Sequence, residues 1–557
     1  MKIQHLIAVL LTITACSQKM ENALFSWGNS DSHFSHDERP AELAEKAFRY
    51  SAWKGEKIST EAVIWTENAL SDVSVEVSRL RNGLKSIPAE NVEAGFIGYV
   101  MSDVFQEGYG QCGFRKKEDF DSLLVADIIN GNTIASIDAE SCQPVWLSIR
   151  IPSDAEPGTY KGSITVKSKE GKMSLPVSFE VTENVLPEPS EWKFHFDLWQ
   201  NPYSVARYHG VEPWSDKHFE LMAPVMKILA DAGQKVITAT IMDRPWNGQT
   251  EDAFGSMVTK ILKADGTWEY GYEAFDKWVN FMMGLGIDKQ ISCYTMIPWN
   301  LEFDYYDEAA GEMKTVKAEP SGTAYKEYWG RFLSDFADHL REKGWYEKTV
   351  IAMDERPEES MKAALEVIRN VQPDFKVSLA GNWHEGLEKE LYDYCIAFRQ
   401  EYPEGVVEKR KAEGKVSTFY TCCAERYPNT FMVSPHAEAV WIPWYVLSKG
   451  YDGYLRWAYN SWTADPVADA RFRAWPAGDC FIVYPDGRSS IRMEKFIEGI
   501  QDYEKAHILM ERWSEEGNDE KLAALAEVLQ SFTYEEITEN GPEEAVHKAK
   551  ATIDRLQ

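Results

Sequence analysis

The sequence predicts a multidomain α and β protein, with an N-terminal β-sandwich, a (β/α)8 TIM barrel and a short C-terminal helical segment. Three observations support this. Short β-rich runs fill the first third of the chain, strand-like and helix-like runs then alternate, and helical periodicity alone continues to the end. The 557 residues, 44% of them hydrophobic, suffice for two or three cores. The predicted domains are the sandwich at 36–190, the barrel at 191–487 and the helical segment at 488–557.

The first 16 residues are typical of a targeting signal. Lys2 precedes the apolar run LIAVLLTI (6–13), which is too short for a permanent membrane helix. ITAC (13–16) then resembles a bacterial lipobox, which predicts cleavage before Cys16 and lipidation of its thiol, with an ordinary secretory signal as the alternative. The mature protein is therefore expected in the bacterial cell envelope, facing the periplasm or the cell surface. A tether at 17–35 would connect the lipid anchor to the sandwich.

The predicted sandwich rests on six β-rich runs without helical patterns between them. Regular spacing of such runs is typical of two packed antiparallel sheets. LPEPS (186–190) follows as a stiff linker to the next domain. The six predicted strands are 61–65, 74–80, 96–101, 144–152, 158–166 and 175–181.

The chain contains eight cysteines, and removing Cys16 leaves seven, so at least one thiol stays unpaired. Cys112 and Cys142 lie in the same predicted domain and could pair in an oxidising periplasm. Adjacent Cys422 and Cys423 are more typical of small buried apolar residues than of a redox or metal site.

The predicted barrel alternates strands with helical patterns such as those at 217–233, 272–286, 325–344 and 358–371. Eight strands over nearly 300 residues fit a (β/α)8 barrel better than a six-stranded open sheet. The predicted strands are 193–199, 235–242, 290–296, 349–355, 376–381, 394–398, 416–422 and 453–459.

Composition and motifs exclude several classes of function. A net charge of −30 is incompatible with docking on nucleic acid, which depends on cationic neutralisation. The sequence contains no H-E-x-x-H, G-x-S-x-G, P-loop or Cys/His cluster at metal spacing, so we expect neither a metal nor a cofactor. The 20 Trp and 26 Tyr serve either as core or as platforms for sugar rings. Carboxylates remain as the candidate catalytic groups.

The fourth predicted barrel strand ends on two adjacent acids, Asp354 and Glu355. Barrel enzymes place their chemistry at the carboxyl ends of the strands. Ionised acids after a buried strand are costly unless they reach solvent, a partner or a substrate. The structural alternative is that Asp354 pairs with Arg356 while Glu355 caps the next helix behind Pro357.

Adjacent acids fit poorly with conventional glycosidases, whose two carboxylates lie on opposite sides of the scissile bond. A 2-acetamido sugar removes this requirement, because its own carbonyl oxygen can attack the anomeric carbon. One acid then serves as the general acid/base, and the other holds the acetamido N–H and offsets the charge of the oxazolinium intermediate.

Three segments together resemble glycoside hydrolase family 123: VIAMDERP on the fourth strand, PGTYKGSITV in the sandwich, and SPHAEAVWIPWYVLSKGYDGYLRWAYNSW (434–462). The resemblance covers roughly residues 60–500 and implies a retaining exo-β-N-acetylgalactosaminidase that acts by substrate-assisted catalysis. It assigns Glu355 as the general acid/base and Asp354 as the residue that positions and polarises the acetamido group. The implied partner is an oligosaccharide with a terminal β-linked 2-acetamido sugar.

Three alternatives stay open at this point. The protein could be a β-N-acetylglucosaminidase, or a conventional two-carboxylate glycosidase whose nucleophile is another rim acid such as Asp243. It could also be a surface glycan-binding lipoprotein without catalysis.

Other residues near the predicted strand ends are candidates for binding substrate, with interior packing as the alternative for each. Tyr420 could donate its hydroxyl to the acetamido carbonyl. After the eighth strand, Asn460 could bind a hydroxyl, and Trp457 or Trp462 could stack on the sugar, although alternation along a strand favours only one of the two. The candidates are Tyr420, Trp457, Asn460, Trp462, Asn382, Trp383, His384, Asp243 and Trp299, and the same rim carries Asp197, Trp199, Trp246 and Tyr294.

Overall fold

The computed structural model describes residue 20 and residues 22–41, 50–104, 112–113, 116 and 121–557. The predicted signal and Cys16 lie outside the described residues. Within the described part, none of the helices has the length and apolar character needed to cross a membrane.

The N-terminal domain is a sandwich of two mainly antiparallel sheets, as predicted. All six predicted strands are present, and the inner faces pack side chains such as Ile64 and Leu147 against Ile164 and Phe179. One sheet has the order Ala23–Trp27, Lys57–Thr66, Ser141–Arg150, Val92–Asp103 and Ser122–Ile129. The other has the order Ser51–Lys54, Gly171–Val185, Gly158–Ser168, Leu70–Val77 and Thr133–Ile137, with the short strands Arg81–Asn82 and Lys85–Ser86 beside it.

The strand Ala23–Trp27 corrects the predicted tether. These five residues pair antiparallel with Ala62–Thr66 at the edge of the first sheet, and Phe25 and Trp27 are buried. The alternating apolar side chains give this segment a core-facing side, so it belongs to the sandwich.

The second domain is the predicted barrel of eight parallel strands, and all eight predicted strands are present. A parallel bridge between Phe196 and Gln234 joins the first strand to the second, so the ring is nearly closed. In chain order the strands are His195–Leu198, Val236–Thr240, Gln290–Tyr294, Thr349–Asp354, Lys376–Gly381, Asp393–Ala397, Val416–Tyr420 and Gly453–Arg456.

Helices follow seven of the eight barrel strands, and residues 382–392 connect the fifth and sixth strands without one. The eighth helix, Ile491–Glu516, packs Phe496 and Tyr503 against Phe196 and Phe194 of the first strand and its approach. The predicted boundary at 487 therefore separates the barrel from its own last helix. The other helices are Pro202–His209, Asp216–Asp231, Glu273–Gly284, Thr323–Lys343, Glu358–Val371, Val406–Ala412 and Ala437–Lys449, and then Asp519–Leu529, Tyr534–Asn540 and Glu543–Leu556 in the C-terminal segment.

A four-stranded sheet, which we did not predict, is built from the loops after the second and third barrel strands. Phe303 of this sheet packs against Tyr325 and Trp329 of the helix after the third strand. The order is Trp268–Gly271, Thr259–Leu262, Glu302–Asp307 and Glu312–Lys317.

Buried ion pairs join the two domains. Arg492 on the eighth barrel helix lies 2.9 Å from Asp127 of the sandwich, and Lys505 lies 2.8 Å from Glu56, with all four side chains almost fully buried. Because removing one partner from a buried pair leaves an uncompensated charge, these contacts fix the sandwich against the barrel.

A disulfide bond between Cys112 and Cys423 also connects the sandwich with the barrel rim. The predicted pairing of Cys112 with Cys142 is therefore wrong, and Cys142 is a buried free thiol. The reason is that the strand Val92–Asp103 runs toward the barrel, where the Met101 N–H donates to the carbonyl of Ala468. Cys423 is thus a cross-link and not the unpaired buried residue we predicted.

Candidate active site

Asp354 is the last residue of the fourth barrel strand, and Glu355 directly follows it. Residues 349–353 are buried, Asp354 is half-buried and Glu355 is exposed. Glu355 has a φ of 41°, in the left-handed region that non-glycine residues rarely adopt. Such strain, on the order of 1 kcal/mol, is concentrated at functional sites.

The backbone of Glu355 is held against the end of the fifth strand. Its N–H donates to the carbonyl of Ala380 at 2.7 Å. A Cβ atom at Gly381 would lie 3.2 Å from the Cα of Glu355, so glycine permits this close approach. The strained residue is therefore positioned by two neighbouring strands.

The structural alternative for the two acids is wrong. Arg356 donates its Nε–H to the backbone carbonyl of Asp354 at 2.7 Å. Pro357 is the N-cap of the next helix, and that cap carries no side-chain hydrogen bond. Instead, the carboxylate of Glu355 accepts a hydrogen bond of 2.7 Å from the hydroxyl of Tyr420.

Burial and the neighbouring charge of Glu355 raise the pKa of Asp354 to about 7, against the opposing effects of Arg356 and the indoles of Trp299 and Trp246. Burial and the charge of Glu355 also hold the pKa of Tyr420 far above its usual range. Tyr420 is therefore a permanent hydrogen-bond donor, whereas Asp354 changes its charge near neutral pH.

A cavity of about 90 Å³ opens above the two acids. Six of its fourteen lining residues are aromatic, as expected for a site that holds sugar rings. Its lining consists of Trp199, Trp246, Gln249, Trp299, Asp354, Glu355, Ala380, Tyr420, Cys422, Cys423, Leu455, Trp457, Trp475 and Asp479.

The aromatic wall is rigid because its members are held by one another and by a buried acid. Trp199 and Trp246 stack with ring centroids 4.9 Å apart. Trp457 donates its indole N–H to Asp479 at 3.1 Å, and Asp479 also pairs with Arg456 at 2.8 Å in a fully buried contact. Asp479 thereby fixes the orientation of Trp457 toward the cavity.

Seven of the predicted residues line this cavity: Asp354, Glu355, Tyr420, Trp457 and Trp299, together with Trp199 and Trp246 of the predicted rim. Asn460 and Trp462 do not, and our prediction for them is corrected. Both are fully buried. Asn460 exchanges hydrogen bonds of 2.9 Å with the backbone of Asn201, and Trp462 donates to the carbonyl of Val483. They hold loops together behind the cavity wall.

Four further predicted residues also lie away from the cavity lining. Asn382 accepts a hydrogen bond from Gln400, and Trp383 stacks on Tyr394. The backbone N–H of His384 donates to the Tyr394 hydroxyl at 2.6 Å. The carboxylate of Asp243 accepts a hydrogen bond of 2.9 Å from the backbone N–H of Ser256. Asp243 therefore stabilises its own loop and does not act as the nucleophile of a two-carboxylate glycosidase.

Sequence reasoning missed Gln249, Trp475 and Asp479. They lie in the long loops after the second and eighth strands, whereas the prediction considered only residues close to each strand end. A Trp and an Asp among glycine and proline in RAWPAGDC (473–480) were the available signal. The indole N–H of Trp475 donates to the carbonyl of Gln249 at 2.8 Å, which joins the two loops.

One cysteine cluster beside the cavity has the proximity of a metal site. The sulfur atoms of Cys112, Cys422 and Cys423 lie within 4.8 Å of one another. Two of the three form the disulfide bond, which accounts for their proximity without an ion.

Models of a known family match both domains of the chain. The model of the glycoside hydrolase 123 catalytic domain matches residues 199–509, and that of the glycoside hydrolase 123 N-terminal domain matches residues 27–168. No curated protein matches the chain.

Among solved structures, the chain is similar to a family 123 glycoside hydrolase from Clostridium perfringens described for glycolipid glycan hydrolysis. The two are 27% identical over 96% of this chain and 98% of that chain, with a TM-score of 0.85. A GH10 xylanase with a bacterial Ig-like domain, from termite gut, is 10% identical over 83% and 100%, with a TM-score of 0.32. β-Glucuronidase 3 of Bacteroides uniformis is 10% identical over 81% and 50%, with a TM-score of 0.30. The last two TM-scores are too low to support a structural inference.

Proposed function

This chain belongs to glycoside hydrolase family 123, and from that membership we propose that it removes terminal β-linked N-acetylgalactosamine from glycans by substrate-assisted catalysis with retention. The observation that carries the proposal is the Asp354–Glu355 pair in the lining of an aromatic cavity. Two adjacent acids on one strand end lie on the same side of a bound sugar. This arrangement suits a substrate that supplies its own nucleophile.

In the first step, Glu355 gives its proton to the glycosidic oxygen while the acetamido carbonyl oxygen attacks the anomeric carbon. The bond to the leaving group breaks, and a cyclic oxazolinium forms. Asp354 accepts a hydrogen bond from the acetamido N–H and offsets the positive charge of the ring. In the second step, Glu355 takes a proton from water, which attacks the anomeric carbon and reopens the ring with net retention.

Tyr420 contributes to catalysis through its hydroxyl group, which stays protonated and donates a hydrogen bond. In the free protein it donates to Glu355, and a bound acetamido carbonyl offers a second acceptor in the same cavity. Donation to that carbonyl would fix the oxygen for attack, as expected from the sequence. The buried indoles of Trp199 and Trp246 exclude water from the developing charge and so strengthen the electrostatic interactions there.

The preference for GalNAc over GlcNAc comes from the family, and β-N-acetylglucosaminidase activity is the alternative. Hydrolysis of nitrophenyl β-GalNAc, β-GlcNAc and β-galactoside by the mature protein tests the proposal. We expect turnover of β-GalNAc alone. Turnover of β-GlcNAc would assign the enzyme a different or broader sugar specificity. Turnover of the galactoside would contradict the need for an acetamido group. No turnover of any of the three substrates would favour a glycan-binding protein.

The proposal includes a lipid anchor on Cys16 in the bacterial envelope. The lipobox-like ITAC motif supports this assignment. Metabolic labelling with a radioactive fatty acid should mark the wild-type protein and not Cys16→Ser, and equal labelling of both would contradict it.

A further inference from the structure

Two residues of the cavity wall, Trp475 and Asp479, belong to one tight turn in the loop after the eighth barrel strand. Trp475 directly precedes the turn, and Asp479 ends it by donating its N–H to the carbonyl of Pro476 at 3.0 Å. The third residue of the turn, Gly478, has a φ of 89°, and a Cβ atom there would lie 2.7 Å from the backbone nitrogen of Met432. The position of this turn therefore sets the positions of both cavity residues.

The second residue of the turn, Ala477, is held by a carboxylate from the other domain. The hydrogen bond that closes a β-turn joins its first and fourth residues, so the N–H of the second residue needs a partner elsewhere. For the buried Ala477 this partner is Asp103, whose carboxylate accepts the N–H at 2.8 Å. Asp103 is also buried and is the last residue of the sandwich strand Val92–Asp103. Because a buried N–H without an acceptor is costly, this contact selects the position of the turn.

The same sandwich strand is hydrogen-bonded to the loop before it reaches the turn. The N–H of Met101 donates to the carbonyl of Ala468 at 3.0 Å, and the N–H of Ala470 donates to the carbonyl of Met101 at 2.9 Å. Farther along the sandwich chain, the N–H of Gly113 donates to the carbonyl of Ala474 at 3.0 Å. These backbone contacts bring the end of the strand to the turn and keep it there.

On the barrel side, the turn is joined to the rest of the cavity wall. The N–H of Met432, in the loop after the seventh strand, donates to the carbonyl of Ala477 at 2.9 Å. Asp479 accepts hydrogen bonds from Arg456 and from the indole N–H of Trp457. A displaced turn would therefore also displace the groups that orient the inner wall.

We propose that Asp103 of the sandwich is a positioning residue for the sugar site, acting through Ala477 on the turn that carries Asp479. The inference rests on the proposed function and deepens it, because it gives the sandwich a part in forming the site. Asp103 is not in the cavity lining, so its effect on the substrate is transmitted by the turn. The sandwich thus completes the active site of the barrel and is not a separate glycan-binding module.

The test compares Asp103→Ala with Gln501→Ala, a matched change at the same domain interface. Gln501 is buried, forms two hydrogen bonds of 2.8 Å with the backbone of Lys57, and lies outside the cavity lining. Both variants should lose stability in urea. Only Asp103→Ala should lower kcat/KM for nitrophenyl β-GalNAc, by about tenfold, because misplaced binding groups orient the substrate poorly. Asp103→Asn keeps an oxygen acceptor for the Ala477 N–H and should stay within about threefold of wild type.

Amide hydrogen exchange gives a second measurement that does not depend on turnover. The peptide that covers residues 476–480 should exchange faster in Asp103→Ala than in wild type or Gln501→Ala, because the Ala477 N–H loses its acceptor. If Asp103→Ala does not fold, Asp103→Glu replaces it, since one added methylene group moves the carboxylate and should change both measurements in the same direction.

Faster exchange with unchanged kcat/KM would overturn the inference, because the contact would then be structural only. An equal loss of kcat/KM in Gln501→Ala would also overturn it, since any weakening of the domain interface would suffice. Wild-type protein that cleaves none of the three nitrophenyl sugars would instead overturn the proposed function, so the two failures are distinguishable.

Discussion

The barrel holds two sets of acids, and only one of them lines the aromatic cavity. At the carboxyl end of the strands, Asp354 and Glu355 line the aromatic cavity. Asp197, in the first strand, and Asp393, the first residue of the sixth strand, are buried near His195, and Asp393 accepts a hydrogen bond of 2.8 Å from Gln290. Neither of the two buried acids lines the aromatic cavity.

Both sets contain an aspartate whose pKa is raised to about 7. For Asp197 the main cause is burial, opposed by His195 and reinforced by Asp393. For Asp354 burial and the adjacent Glu355 act together. A perturbed pKa therefore does not separate a catalytic acid from a structural one. Access to the cavity separates them, because Asp354 lines it and Asp197 does not.

The largest expected effect is the loss of catalysis in Glu355→Gln, which removes the proton donor at the rim. The kcat for nitrophenyl β-GalNAc should fall by about 10³-fold, within the usual range for a general acid. Glu358→Gln is the matched control, because it makes the same change three residues away and outside the cavity lining. Retained turnover in Glu355→Gln would show that Glu355 is not the general acid.

Asp354→Asn should lower kcat/KM by about 10²-fold, since the oxazolinium loses its charge partner. The reaction needs one proton on the Asp354–Glu355 pair, since one acid must donate it while the other is ionised. Because the pair loses its last proton near pH 7, wild-type kcat/KM should fall as the pH rises through 7. This limb near pH 7 should be absent in Asp354→Asn. An identical limb in both proteins would assign the titration to another group.

Tyr420→Phe should lower kcat about tenfold, the value expected for one hydrogen bond to a charged group. The hydroxyl contacts Glu355 in the free protein, and its loss weakens the orientation of that acid. Tyr394→Phe, which removes a hydroxyl outside the cavity lining, serves as the control. Equal kinetic losses in the two variants would indicate a general effect on folding.

Asp197→Asn should have the smallest effect on activity, leaving kcat within about twofold, and should instead change the stability. A folded-state pKa of about 7, raised from 3.8, makes wild-type stability decrease as the pH rises between these values. The amide does not titrate, so the variant should gain on the order of 2 kcal/mol over wild type at pH 8 and little at pH 4. Urea unfolding at both pH values measures this, and a large loss of kcat would contradict a purely structural role for Asp197.

Local patterns predicted all eight barrel strands but only six of the twelve described sandwich strands. Alternating or continuous apolar runs marked six sandwich strands and all eight barrel strands, including the one that ends at Asp354. The strand Ala23–Trp27 was missed because only pairing with a distant strand makes it part of the sheet.

The catalytic pair could be predicted because it lies at a strand end, but most of the cavity wall could not. Asp479 and Trp475 are positioned by contacts across long loops, which no local pattern encodes. Asn460 and Trp462 follow the eighth strand as expected, yet the chain turns their side chains into the interior. The partner of Cys112 is likewise 311 residues away in the sequence.

The most direct test of the account is inhibition by a thiazoline derived from GalNAc, which mimics the oxazolinium formed by the substrate's own acetamido group. The account predicts competitive inhibition with an inhibition constant far below the KM of nitrophenyl β-GalNAc, weakened about 10²-fold in Asp354→Asn and unchanged in Asp197→Asn. Inhibition no stronger than that by free GalNAc would contradict substrate-assisted catalysis at the rim.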